Sequence, residues 1–188
     1  MATAIATDPL VQQLIEVEGK AEIVDGRVVE SGPEGGKPSY AAGRIFLALS
    51  FYEESNGGFA FGDNAGFLCD SPTRKSFSPD AAFYIGPEPE MGFLPVPPVF
   101  AVEVRSENDY GPQAEREMAQ KRADYFAAGT LVVWDVDMQN EELVAKYTAT
   151  EPMRAQVFRR GEECDAEPAV VGWKMVVDGL FAPVRSSP

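Results

Sequence analysis

The stretch from residue 99 to residue 137 constrains the fold more than any other part of the chain. It holds two short, almost wholly apolar runs, residues 99–105 and 131–137, on either side of a helical pattern at Pro112–Ala128 that Gly129 should stop. Runs of this length and composition predict central strands buried on both faces. Glu103 is the one acidic interruption of the first run.

The flanking segments supply the remaining elements. Residues 7–18 predict a short helix capped by Asp8, with Pro9 in its first turn and Leu10, Val11, Leu14 and Ile15 as its apolar stripe. Residues 21–30 read as a hairpin about Asp25-Gly26. A loop is expected over 31–38 and a helix over 39–56, ended by Gly57-Gly58. Residues 59–70 suggest two strands around Asp63-Asn64, and residues 78–85 a strand opened by Pro79. Five prolines between Pro87 and Pro98 mark a surface excursion. Residues 142–148 can pair with the 131–137 strand through Gln139-Asn140. Two weaker β segments are expected around Gly161 and Gly172 within 156–178.

This order predicts an α/β or α+β fold with a central mixed sheet flanked by helices. A length of 188 residues, 45% of them hydrophobic, suits one domain over 1–188 with its core at about 8–181. No apolar stretch approaches the roughly 20 residues that span a bilayer. The first nine residues lack the basic and apolar regions of a secretory signal, so a cytoplasmic location is expected. The proline-rich loop and exposed strand edges are candidate homodimer surfaces, with a solvated loop as the default reading.

The chain has no histidine. Ser-His-Asp and Cys-His catalysis are excluded, as are zinc sites that use imidazole. Cys69 and Cys164 are too few for a zinc cage; reduced thiols are expected, with a single disulfide as the alternative. Acid–base or metal chemistry must rest on carboxylates, Lys, Tyr or backbone groups, which attract hard cations such as magnesium. With 16 Lys+Arg against 30 Asp+Glu the net charge is −14, which argues against nucleic-acid binding by global charge.

Strand alternation puts Asp80 on one face with Ala82, and Glu103 on one face with Ala101 and Arg105, while Phe100, Val102 and Val104 take the other. If the two strands pair, Asp80 and Glu103 meet among small alanines that leave room for a ligand. A buried carboxylate must be paired or bound to a metal, so a plain ion pair of Glu103 with Arg105 or Lys121 is the competing reading. Met118, Lys121 and Tyr125 share one helical face, which turns Lys121 toward the sheet. Arg74, Lys75, Arg159 and Arg160 are candidates for a basic groove, with a solvated surface as the alternative for each.

Three segments, Ser78-Pro79-Asp80-Ala81-Ala82-Phe83, Val102-Glu103-Val104-Arg105-Ser106 and residues 121–137 from Lys121 through Tyr125, Gly129 and Trp134 to Asp137, together resemble the Uma-two family of restriction-endonuclease-like proteins, in the PD-(D/E)xK nuclease superfamily. Glu22-Ile23-Val24-Asp25-Gly26 resembles an upstream family segment. The resemblance implies Asp80 and Glu103 as ligands of magnesium or manganese, with Val104, necessarily through its backbone, in the same set. It also implies Lys121 as the superfamily lysine moved from strand to helix, and Glu22 as an auxiliary acid. Ser106-Glu107-Asn108-Asp109 departs from the family's usual motif, and residues 33–40 lack a histidine common there. The implied activity is metal-dependent hydrolysis of DNA phosphodiester bonds. A non-catalytic interaction protein on the same fold, or a metal-dependent hydrolase of a small phosphoester, remains open at this point.

Overall fold

A computed structural model describes residues 8–140 and 143–181. Thr7 and Glu142, the expected starts of a helix and a strand, lie outside the described residues. Helix α1 (Pro9–Ile15) is capped by Asp8, whose carboxylate accepts from the Leu10 N–H at 2.9 Å. It ends at Ile15, the last residue of its apolar stripe and three residues short of the expected end at residue 18. The hairpin β1 (Ala21–Val24) and β2 (Arg27–Glu30) turns at Asp25-Gly26, both at positive φ, as an Asp-Gly hairpin requires. Helix α2 spans Gly36–Asn56 and absorbs the last three residues of the expected loop, with Pro38 in its first turn, where its missing N–H costs nothing.

Six strands form the central sheet: β3 (Phe59–Phe61), β6 (Ala81–Tyr84), β7 (Phe100–Val104), β8 (Val132–Val136), β9 (Val144–Thr148) and β10 (Glu151–Phe158). Their order across the sheet is β10-β9-β8-β7-β6-β3. The β7–β8 pair is parallel and the other pairs are antiparallel, so the sheet is mixed. Helix α3 (Pro112–Ala128) makes the crossover between the parallel pair and stops at Gly129 with φ 110°. Two small sheets, β4 (Phe67–Leu68) with β5 (Ser76–Phe77) and β11 (Glu163–Ala166) with β12 (Val170–Val176), pack beside it. A 3-10 turn follows at Val177–Leu180.

The two strands expected around Asp63-Asn64 form: β3 joins the edge of the main sheet and β4 pairs with β5. The tail holds three strands rather than two, because β10 begins at Glu151, just after β9 ends at Thr148, and pairs with it across a bulge between Glu151 and Gln156. Exposed polar residues along β10 hid its alternation.

The sheet has two unlike faces. Phe100, Val102, Val104, Val132 and Trp134 pack with Ile45 and Leu49 of α2 and with Trp173 of β12. The opposite face carries Ala82, Ala101 and Val133 under Tyr125 of α3 and Phe77 of β5. Val11, Leu14, Ala21, Ile23 and Leu68 form a separate cluster that joins α1 to the first hairpin. Cys69 and Cys164 are buried free thiols.

Candidate active site

The register of β6 on β7 pairs Ala81 with Val102 and Ala82 with Ala101. One step beyond β6, Asp80 therefore stands opposite Glu103, on the small-residue face beneath α3, and its N–H donates to the Val102 carbonyl at 3.0 Å. Both acids are buried. They border a cleft of about 430 Å³ lined among others by Lys20, Glu22, Glu34, Arg74 and Lys121.

Each carboxylate has its own partners. Glu103 Oε2 takes the Lys121 ammonium at 2.7 Å, and Oε1 accepts from the Tyr125 hydroxyl at 2.6 Å. The Tyr125 ring stacks on Phe77 at 4.0 Å, which fixes the direction of that hydroxyl. Asp80 Oδ2 accepts from the Val104 N–H at 2.6 Å, and Oδ1 holds Lys20 at short range. Glu22 Oε1 accepts from the Ser78 N–H at 2.8 Å and lies 3.0 Å from Lys121, while Oε2 takes Arg74 at 2.5 Å. Arg74 also reaches Asp124 of α3 at 3.2 Å. The helical phase of Met118, Lys121 and Tyr125 thus turns Lys121 onto Glu103, as expected. Arg105, on the same face, bonds Asp135 and Glu115 instead.

The ionisation of these groups follows from their surroundings. Burial pushes Glu103 up to about 7; Lys121 opposes the shift, and Asp80 and Glu22 add to it. Burial likewise pushes Asp80 up to about 7, against the pull of Lys20 and with help from nearby Glu34. Glu22 is buried too, but Lys121 and Arg74 outweigh the burial and hold it below the usual carboxylate range. For Lys121 burial works downward, and Glu103 and Glu22 more than offset it, so the ammonium is held above its ordinary value.

Six carboxylates (Glu22, Glu34, Asp63, Asp80, Glu103 and Asp124) thus meet three cations (Lys20, Arg74 and Lys121). With every group ionised the set carries three excess negative charges, and among the described residues Glu34 Oε2 is a buried oxygen without a hydrogen-bond partner. Single oxygens of Glu34, Asp63 and Asp80 lie within 4.8 Å of one another. All the anionic donors are hard oxygens, so the donor set and its charge fit one divalent cation.

Asp80, Glu103, Lys121 and Glu22 are brought together as the sequence expects, with the Val104 backbone beside them. Of the expected basic groove, Arg74 lines the cleft; Lys75, Arg159 and Arg160 are not among its lining residues, and Lys75 and Arg160 pair with Asp70 and Asp178. Sequence reasoning missed Lys20, Glu34 and Asp63. Alternation along β1 places Lys20 on the side of Glu22, a signal that was available. Glu34 and Asp63 sit in loops, where no periodicity points inward.

The sequence profile of the family described as "Uma2: Putative restriction endonuclease" matches residues 9–178. A crystal structure of "a putative nuclease belonging to DUF820 from Anabaena variabilis ATCC 29413" superimposes with a TM-score of 0.71 at 17% identity, covering 92% of this chain and 97% of that one. That likeness shows the fold. No curated protein matches.

Proposed function

The chain belongs to the Uma2 (Uma-two) family of putative restriction endonucleases, and from that premise we propose that it is a divalent-metal-dependent endonuclease that hydrolyses DNA phosphodiester bonds. The observation that carries the reading is the pair Asp80 and Glu103, opposed across β6 and β7 in a cleft, with Lys121 on Glu103. Asp80 and Glu103 would hold magnesium or manganese, with the Val104 backbone adjoining. The bound cation would polarise the phosphoryl group and lower the pKa of an attacking water.

The chain's own residues supply the rest. Lys121 is a fixed cation that can stabilise charge developing on the phosphoryl oxygens or orient the water. Tyr125 holds the Glu103 carboxylate in one orientation, through a hydroxyl aligned by the stack on Phe77. Glu22, between Lys121 and Arg74, keeps the lysine protonated and in place. Arg74 is held by Glu22 and Asp124, so the cleft stays net negative until a cation binds, and the bound cation would offset that charge toward an incoming phosphate. Duplex DNA incubated with magnesium or manganese should be cut by this chain and left whole by Asp80→Ala. Equal cutting by both proteins would overturn the reading.

A further inference from the structure

Lys20 stands just before β1, and its ammonium is held by three carboxylates. It bonds Asp80 Oδ1 at short range, lies 2.8 Å from Asp63 Oδ1 and 3.5 Å from Glu34 Oε1. The acids come from distant parts of the chain: the loop before α2, the turn after β3 and the approach to β6. One ammonium on three carboxylates leaves two negative charges, and Glu34 Oε2 is buried with no hydrogen-bond partner among the described residues. Asp80 Oδ2 is already committed to the Val104 N–H, so Lys20 covers the other oxygen. A divalent cation shared by Asp80 and Glu103 would meet Lys20 at that oxygen, and two positive charges at contact distance repel strongly in a buried site. Lys20 already touches two other carboxylates, so its flexible stem can release Asp80 without losing ionic partners.

We infer that Lys20 is a tethered counter-cation, which holds Asp80 until a divalent ion binds, then passes to Asp63 and Glu34, and so sets the metal affinity of the protein. This rests on Asp80 and Glu103 being metal ligands, as proposed above.

The test is manganese binding, read from the paramagnetic resonance signal of the free ion, with melting temperature recorded for each protein. Lys20→Gln keeps an N–H donor toward Asp80 without the charge, and should bind manganese about tenfold more tightly. Asp63→Asn removes a receiving carboxylate at a half-exposed position that tolerates the change, and should weaken binding about threefold or more. In the Lys20→Gln background, Asp63→Asn should have no effect, because no ammonium remains to be received. If it weakens binding equally in both backgrounds, Asp63 acts through bulk charge or as a ligand itself, not by receiving Lys20, and the inference fails. It fails also if Lys20→Gln binds no more tightly, or if Asp63→Asn alone changes nothing.

Glu103→Gln separates this inference from the reading beneath it. If the unmodified chain binds manganese and Glu103→Gln does not, the metal reading stands whatever the Lys20 variants show. If Glu103→Gln binds as well as the unmodified chain, or none of these proteins binds manganese, both fall.

Discussion

Glu103 shows how one residue can be expensive for the fold and necessary for the site. Its carboxylate is buried on the sheet, and burial pushes its pKa up to about 7. At pH 8 the folded protein must therefore carry a charge it resists. Glu103→Gln removes that charge while keeping size and hydrogen-bonding capacity, and Lys121 retains Glu22 at 3.0 Å. The metal-free variant should melt at a higher temperature than the unmodified chain at pH 8, and should cut no DNA in magnesium. Cleavage at the unmodified rate would make Glu103 a structural residue. Its place was legible beforehand because strand parity is a local property: an acid in an apolar run must face one side or the other. Glu34 and Asp63 were not legible in that way, because they sit in loops and what gives them a role is contact with Lys20 and Asp80 far along the chain.

At the scale of elements, α3 acts as a lever over the sheet. Its phase brings Lys121 and Tyr125 to Glu103, and Asp124 to Arg74. The helix and its limits were readable from Pro112 and Gly129, since a first-turn proline and a left-handed glycine are covalent signals that packing does not override. The pairing of β3 with β6 was not readable, because a three-residue strand carries too little pattern to name its partner. Lys121→Met tests the lever. The lysine is largely buried between Glu103 and Glu22, so its loss leaves two acids facing each other and should cost about 3–5 kcal/mol of stability. Cleavage should vanish while manganese binding stays measurable, because an ammonium is not a metal ligand. Loss of manganese binding in a folded variant would contradict that division of roles.

Across the whole molecule, the charge surplus of the cleft couples stability to pH. Asp80 and Glu103 are both raised to about 7 in the folded state. A raised carboxyl contributes stability that is full below its unfolded pKa, near 4, and is lost as pH climbs through 7. Glu22, held low, works the other way: its contribution is present above its ordinary 4.5 and is lost as pH falls through its depressed value. The metal-free protein should thus be most stable on the acid side of neutrality. Magnesium needs the ionised acids, so it should raise the melting temperature more at pH 8 than at pH 5.5. An equal or absent shift at the two pH values would remove the acids from the metal site. The net charge of −14 is matched inside the cleft, where carboxylates outnumber Lys20, Arg74 and Lys121, so a phosphate would be met there by a bound cation rather than by the side chains alone.

The separate cluster formed by α1, the first hairpin and Leu68 has a consequence in time. The hairpin is not a member of the main sheet; its backbone is tied to the body through Ile23 with Ser76 and Lys75, and through Asp25 with Thr73. A unit with its own small core can breathe without unravelling the strands beside it. Amide protons of Ala21–Val24 should therefore exchange with solvent faster than those of Phe100–Val104, and equal rates would mean that the two parts open as one. Each such opening would withdraw Lys20 and Glu22 from the cleft while Asp80 and Glu103 keep their register, which would make the site part permanent and part intermittent.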